Sequence, residues 1–187
     1  MSNVAGKSSS TPSRARASGA TIALGLGLTN ECNLKCAFCY RDPTHADRLS
    51  FEQVKSVMEC LPVRSVNLGT GENGMHPEFK AMLAYLRTRP VKLTITSNGH
   101  SVAVLDDHDL RAFHDIEFSL DYPTQAEQDA QRGLGNWELI HQQAYRCVRL
   151  GVPVTIIGVM MKSNYLRLAD VARVAQRFGA PLRVNVY

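Results

Sequence analysis

Strand-like and helix-like stretches alternate from residue 21 to the end of the chain. This alternation predicts an α/β fold, a parallel (βα)6 partial TIM-type barrel that lacks a last helix. Six units are too few to close an eight-stranded barrel, so the sheet is expected to curve and stay open. A second observation agrees: Val152 to Met160 is apolar nearly throughout, as expected of a strand buried on both faces by flanking helices. In such sheets, ligands bind at the C-terminal ends of the strands.

The elements follow in order. Thr21 to Leu28 is a β-prone run. Ser50 starts a helix, with Gln53 three residues on as a capping box. Val54, Val57, Met58 and Leu61 form its apolar stripe, and Pro62 ends it. Ser65 to Leu68 is a short strand, and Pro77 suits the first turn of a second helix bearing Phe79, Met82, Leu83 and Leu86. Val91 to Thr96 is a third strand, bounded by the turn Asn98-Gly99. A weaker helix carries Leu105, Leu110 and Phe113, with the Asp106-Asp107-His108-Asp109 run at its solvated start. Ile116 to Leu120 is a fourth strand. Asn136 is expected to cap a helix bearing Ile140, Ala144 and Cys147, and Asn164 to cap another bearing Val171, Ala175 and Phe178. Leu182 to Val186 is the sixth strand. A sheet that stops there has an uncovered edge, which suggests a fragment or completion by another segment or chain.

Composition is ordinary for a globular chain of 187 residues. Of the net charge of +4, the acid-free residues 1–20 supply Lys7, Arg14 and Arg16, leaving +1 for the rest. That near-neutral body gives no case for a nucleic-acid partner. Residues 1–20 are rich in Ser, Ala, Gly and Arg and read as a disordered basic tail, in preference to a transit peptide. Residues 21–187 form the folded core. Neither a secretory h-region nor an apolar run of about 18 residues is present, so no membrane contact is expected.

Cys32, Cys36 and Cys39 crowd one polar loop after the first strand, spaced C-x3-C-x2-C. Such spacing suits a metal site in a reducing compartment, the cytoplasm, rather than disulfides. Three thiolates can hold three corners of a [4Fe–4S] cubane and leave its fourth iron without a protein ligand. An open position is what a catalytic metal site needs. The competing reading is zinc on the three cysteines and a histidine such as His45, in a non-catalytic interaction module. Zinc loops, however, usually come as two separated ligand pairs, and no second pair exists.

The loop, with its aromatic Phe38, resembles the signature of the radical S-adenosylmethionine (SAM) superfamily, and the resemblance spans about residues 21–187. It implies that SAM chelates the free iron, that an electron from the cluster cleaves its sulfonium, and that a 5′-deoxyadenosyl radical then abstracts hydrogen from substrate. It also implies a reductant such as flavodoxin or ferredoxin. Gly69-Thr70-Gly71-Glu72 after the second strand resembles the family's Gly-Gly-Glu motif, with Thr70 in place of the first glycine. Gly71 and Glu72 are then expected at the methionyl ammonium. Ser97-Asn98-Gly99 resembles the family's Thr-Asn-Gly turn. Ser119-Leu120-Asp121 resembles its Ser-x-Asp, implying contacts from Ser119 and Asp121 to the ribose or the methionyl carboxylate. Asp129, Arg132 and Gly133 resemble the Asp-x-x-Arg-Gly segment of branches that modify peptides or proteins or build cofactors, the expected substrate classes. There Arg132 is either a carboxylate partner for SAM or a surface arginine in a loop. Tyr40 and Arg41 are expected at the same pocket. Cys60 and Cys147, at apolar helix positions, read as core. The six histidines show no ligand spacing.

Overall fold

A computed structural model describes residues 21–187. The reading of residues 1–20 as a disordered tail lies outside the described residues.

Six strands form one sheet: β1 (Ile22–Leu26), β2 (Val63–Leu68), β3 (Lys92–Ser97), β4 (Asp115–Ser119), β5 (Val154–Met160) and β6 (Leu182–Val186). They lie side by side in chain order and every pair is parallel, curling into the expected half-barrel. The helices are α1 (Phe51–Cys60), α2 (Phe79–Arg87), α3 (His100–Ala103), α4 (Asp107–Leu110), α5 (Gln125–Arg132), α6 (Asn136–Arg149) and α7 (Leu168–Arg177). Leu68, Ile95, Ile116, Phe118 and Ile156 from the strands join Met58, Met82, Leu86, Ile140 and Val171 from the helices in one buried core. Side chains of this size each contribute about 1.5–3 kcal/mol when fully buried. Four of the five β6 residues are exposed.

Local rules explain most boundaries. The Ser50 hydroxyl accepts from Gln53 N (3.2 Å) and the Gln53 side chain accepts from Ser50 N (2.8 Å), the expected capping box. The weak helix around Leu105 is two single turns, α3 and α4, the second capped by Asp106 (2.8 Å to Asp109 N). Pro77 precedes α2 by two residues, because a 3-10 turn at Asn73–Met75 delays the helix start. Cys147 is buried, but Cys60 is exposed at the end of α1, which corrects its reading as core.

α5 has no counterpart in the sequence reading, which left Arg132 in a loop. Its eight residues, QAEQDAQR, include only two apolar side chains, both alanine, so it carries no stripe. What it buries instead is Gln128, fully inaccessible.

Gln128 belongs to a belt of buried polar side chains that ties together the loops at the C-terminal ends of the strands. Asn73 Oδ1 accepts from Leu28 N (2.9 Å), just beyond β1. The Glu72 carboxylate accepts from the Ser97 hydroxyl (2.5 Å), Asn98 N (2.9 Å) and Ser101 N (2.6 Å), joining the loops after β2 and β3. Asn136 Nδ2 donates to Asn98 O (2.8 Å), and Asn136 Oδ1 accepts from Gln128 Nε2 (2.8 Å). Gln128 Oε1 accepts from Asp121 N (3.0 Å) and Tyr122 N (3.2 Å) beyond β4. Asn164 Nδ2 donates to Asp121 O (3.1 Å) and Val159 O (2.8 Å), closing the belt at β5. Asn136 and Asn164 are therefore cross-links and not the caps expected of them. Asp129 does the capping of α6, accepting from Gly135 N (3.0 Å) and Trp137 N (2.9 Å).

Two outcomes follow. Asn136→Leu removes two buried hydrogen bonds and orphans Asn98 O, so urea unfolding is expected to show a loss of about 2–4 kcal/mol. The second concerns His141, half-buried with its ring 4.0 Å from that of Trp137 and 5.1 Å from that of Phe178. Nδ1 donates to Trp137 O (2.9 Å), while Nε2 is buried without a partner. Burial therefore lowers its pKa below the ordinary 6.5, outweighing the Trp137 carbonyl. A lowered value means the unfolded chain binds the proton more tightly, so this contribution is whole above pH 6.5 and is lost as pH falls below it. His141→Phe is expected to flatten the dependence of the thermal midpoint on pH in that range.

Candidate functional site

The loops that the belt holds together surround a cavity of about 540 Å3 at the C-terminal ends of the strands. Its walls include Cys32, Cys36 and Cys39, together with Phe38, Gly71, Glu72, Ser119 and Arg132. The structure thus brings these eight expected residues together, with Tyr40 and Arg41 beside them. Asp121, also expected here, is not part of the wall. It is fully buried behind the wall, where its Oδ2 accepts from Arg132 Nε (2.7 Å) and its Oδ1 from Val159 N (2.8 Å).

The cysteine loop is folded by its neighbours. Asn30 closes the segment, its Nδ2 donating to Asp42 O (3.0 Å) and His45 O (2.9 Å), its Oδ1 accepting from Asp47 N (2.7 Å). Arg41 reaches back to Leu34 O (2.7 Å), and Cys39 N donates to Cys36 O (3.0 Å) in a tight turn. Asn98 donates to Cys32 Sγ (3.5 Å) and to the Asn33 side chain (2.9 Å). The Ser97-Asn98-Gly99 turn, unremarkable in sequence, therefore buttresses the first cysteine.

Burial raises the Cys32 and Cys36 thiols above their ordinary range, with Arg132 the main opposing influence on Cys36. Metal binding takes such groups as thiolates and releases their protons. Cys147, buried in the core, is pushed up to about 12 and is inert.

Among the described residues, no three Cys, His, Asp or Glu side chains close on a point as one metal ion requires. Thiolates on separate irons of a cubane need share no such centre, so the donor set fits three corners of an iron–sulfur cluster. The zinc reading fares worse. His45 is exposed, sits beside Asp42 (3.5 Å) and is not part of the cavity wall.

Gly71 and Glu72 occupy their places for reasons the sequence did not reveal. At Gly71 (φ +61°) a Cβ would lie 2.4 Å from Thr29 O and 2.5 Å from Glu31 O, so glycine is required by packing against the cysteine loop. Glu72 spends three acceptor positions on internal donors; a carboxylate has about four, so one remains. Thr70 adopts φ +70°, which for a side chain bearing a Cβ costs about 1–2 kcal/mol.

Arg132, on the last turn of α5, is no surface residue: its side chain is 9% exposed and Asp121 is fully covered. Its guanidinium carbon lies 5.2 Å from the centre of the Phe38 ring. Asp121 therefore acts on the cavity through Arg132, and Gly133 (φ +141°) ends the helix against Leu34 of the cysteine loop. Arg183, half-exposed on β6, pairs with buried Glu117 (2.6 Å), which also accepts from Asn67 (3.2 Å) and the Thr96 hydroxyl. Asn67, Thr96 and Arg183 line the same cavity, and nothing in the sequence pattern marked them.

The Radical SAM superfamily model matches residues 26–175. The mycofactocin maturase MftC of Mycobacterium tuberculosis is 29% identical over 174 residues, which are 89% of this chain and 44% of that protein. A probable GTP 3′,8-cyclase of Pyrococcus horikoshii is 26% identical over 168 residues, 86% of this chain and 54% of that protein. The chain thus spans about half the length of these curated relatives. In fold it is similar to Streptococcus suis SuiB, solved with SAM and with the precursor peptide SuiA (TM-score 0.74, 17% identity, 88% of this chain). SuiB is the longer chain, the match covering 40% of it in the SAM complex and 39% in the peptide complex. No helix among the described residues is long and apolar enough to cross a membrane. With its half-barrel, its three-cysteine loop and a family match over most of its length, the chain belongs to the radical SAM superfamily.

Proposed function

We propose that this chain is the core of an enzyme that holds a [4Fe–4S] cluster on Cys32, Cys36 and Cys39 and cleaves SAM reductively. The single observation that carries the reading is the convergence of these cysteines with Gly71, Glu72, Ser119 and Arg132, from two loops, a strand end and a helix end, on one cavity. Bound there, the cluster would supply the electron that turns SAM into methionine and a 5′-deoxyadenosyl radical, the species that takes hydrogen from substrate.

The residues of this chain bind and orient. Arg132 takes the methionyl carboxylate, a pairing that suits a guanidinium already fixed on its Nε edge by Asp121. Glu72, with one acceptor position left, takes the methionyl ammonium, and Gly71 sets its loop. Ser119 hydrogen-bonds the ribose, and Phe38 packs against Arg132 to exclude water. A one-electron donor such as flavodoxin or ferredoxin supplies reductant, in the cytoplasm, where thiols stay reduced.

A peptide is the substrate class we favour. The support is that SuiB, a member of similar fold, is solved with a precursor peptide; the Asp129, Arg132, Gly133 segment resembles branches that modify peptides or proteins or build cofactors.

Two measurements check the proposal. Anaerobic reconstitution with iron and sulfide should give a brown protein that forms 5′-deoxyadenosine from SAM and dithionite; a colourless protein carrying stoichiometric zinc would contradict it. Cys36→Ala should lose most of its iron while Cys147→Ala retains it, and equal loss in both would refute the ligand assignment.

A further inference from the structure

Thr70 and Tyr40 are two features of the cavity that cofactor binding, as described, leaves unused. Thr70 stands where the motif it resembles has glycine, yet the backbone keeps the left-handed conformation that glycine favours (φ +70°). A β-branched residue there is an outlier that the surroundings must hold in place. Two neighbours do so. Gly27, beyond β1, has no side chain: a Cβ there would lie 2.8 Å from Thr70 Cβ, so its absence makes the room. Tyr40, next to the last cysteine, is 83% exposed, and its hydroxyl lies 2.9 Å from that of Thr70. Both residues line the cavity.

We infer that the Thr70–Tyr40 hydrogen bond is a clasp across the cavity mouth, holding the cysteine loop against the glycine-rich loop so that SAM is retained. Thr70 and Tyr40 are positioning residues in this scheme. The inference rests on the SAM-binding reading above. A threonine hydroxyl is the one group at this position that glycine cannot supply, and its partner sits one residue from a cluster ligand. With the clasp closed, the two loops that must both touch a cofactor at the cysteines move as one. With it open, Tyr40 is an unanchored exposed side chain.

The test titrates SAM into the reconstituted, dithionite-reduced chain and follows the change in the cluster's electron paramagnetic resonance spectrum. Thr70→Val and Tyr40→Phe are each expected to weaken SAM binding about threefold to tenfold, the span of one lost hydrogen bond. The double variant should be no weaker than either single one, because both remove the same interaction. Thr70→Ser should restore wild-type affinity. Thr70→Gly should raise the thermal midpoint by relieving the backbone yet still bind SAM more weakly, a split that a merely structural residue would not produce. Single variants that bind like wild type, or effects that add in the double variant, would overturn the clasp. Wild-type protein that takes up no cluster, or whose spectrum ignores SAM, would instead overturn the functional reading and the clasp with it.

Discussion

The C-terminal rim of this half-barrel depends on one constraint: buried polar groups in the loops after the strands must find partners inside the protein. The solution is a belt of side chains, with Glu72, Asn98, Asn136, Gln128, Asp121 and Asn164 each fully or almost fully inaccessible. Glu72, Asn98, Asn136, Asp121 and Asn164 bridge elements distant in sequence, while Gln128 ties α5 to the neighbouring β4 loop and α6. The Glu72 carboxylate fixes the Ser97-Asn98-Gly99 turn, that turn places Asn98 against Cys32, and Asn136 holds the same turn from α6. Buried networks of this kind favour a single arrangement, because a half-satisfied member is costly. The rigidity of the cavity wall follows from that.

The proposed site would need its three cysteines and its SAM-facing residues at fixed separation, although they come from different parts of the chain. Arg132 illustrates how the sequence achieves it. Gln128 anchors α5 under the β4 loop, Asp121 takes the Nε edge of the guanidinium, and Phe38 of the cysteine loop lies against its face. The helix, the strand end and the cysteine loop are thereby registered to one another by Gln128, Asp121, Arg132 and Phe38.

The fold was legible in the sequence because strand and helix periodicities are local and strong. All six strands and the capping box at Ser50 fell close to where the pattern put them. The three cysteines stand out in the sequence because thiolates at that spacing have few uses besides metal binding, and most residues of the motifs after the strands meet them at one cavity, with Asp121 behind its wall. What escaped has a common cause. α5 has no apolar stripe, so its only inward signal is a glutamine, a residue that periodicity scores as solvent-facing. Asn136 and Asn164 sit where caps belong, and no local rule distinguishes a cap from a long-range cross-link. Gly71 was expected at the methionyl ammonium; it lines the cavity, and the room left by its missing side chain is taken by the carbonyls of Thr29 and Glu31. Glu117 and Arg183 pair across β4 and β6, a contact visible only once the sheet order is known.

Three neighbouring thiolates would leave one iron of a cubane for SAM. Mössbauer spectroscopy of the chain reconstituted with iron-57 reads that iron by itself. Adding SAM is expected to change the spectrum of a single iron site toward nitrogen and oxygen coordination while the others stay as they were. A spectrum in which every iron remains equivalent and unmoved by SAM would contradict it.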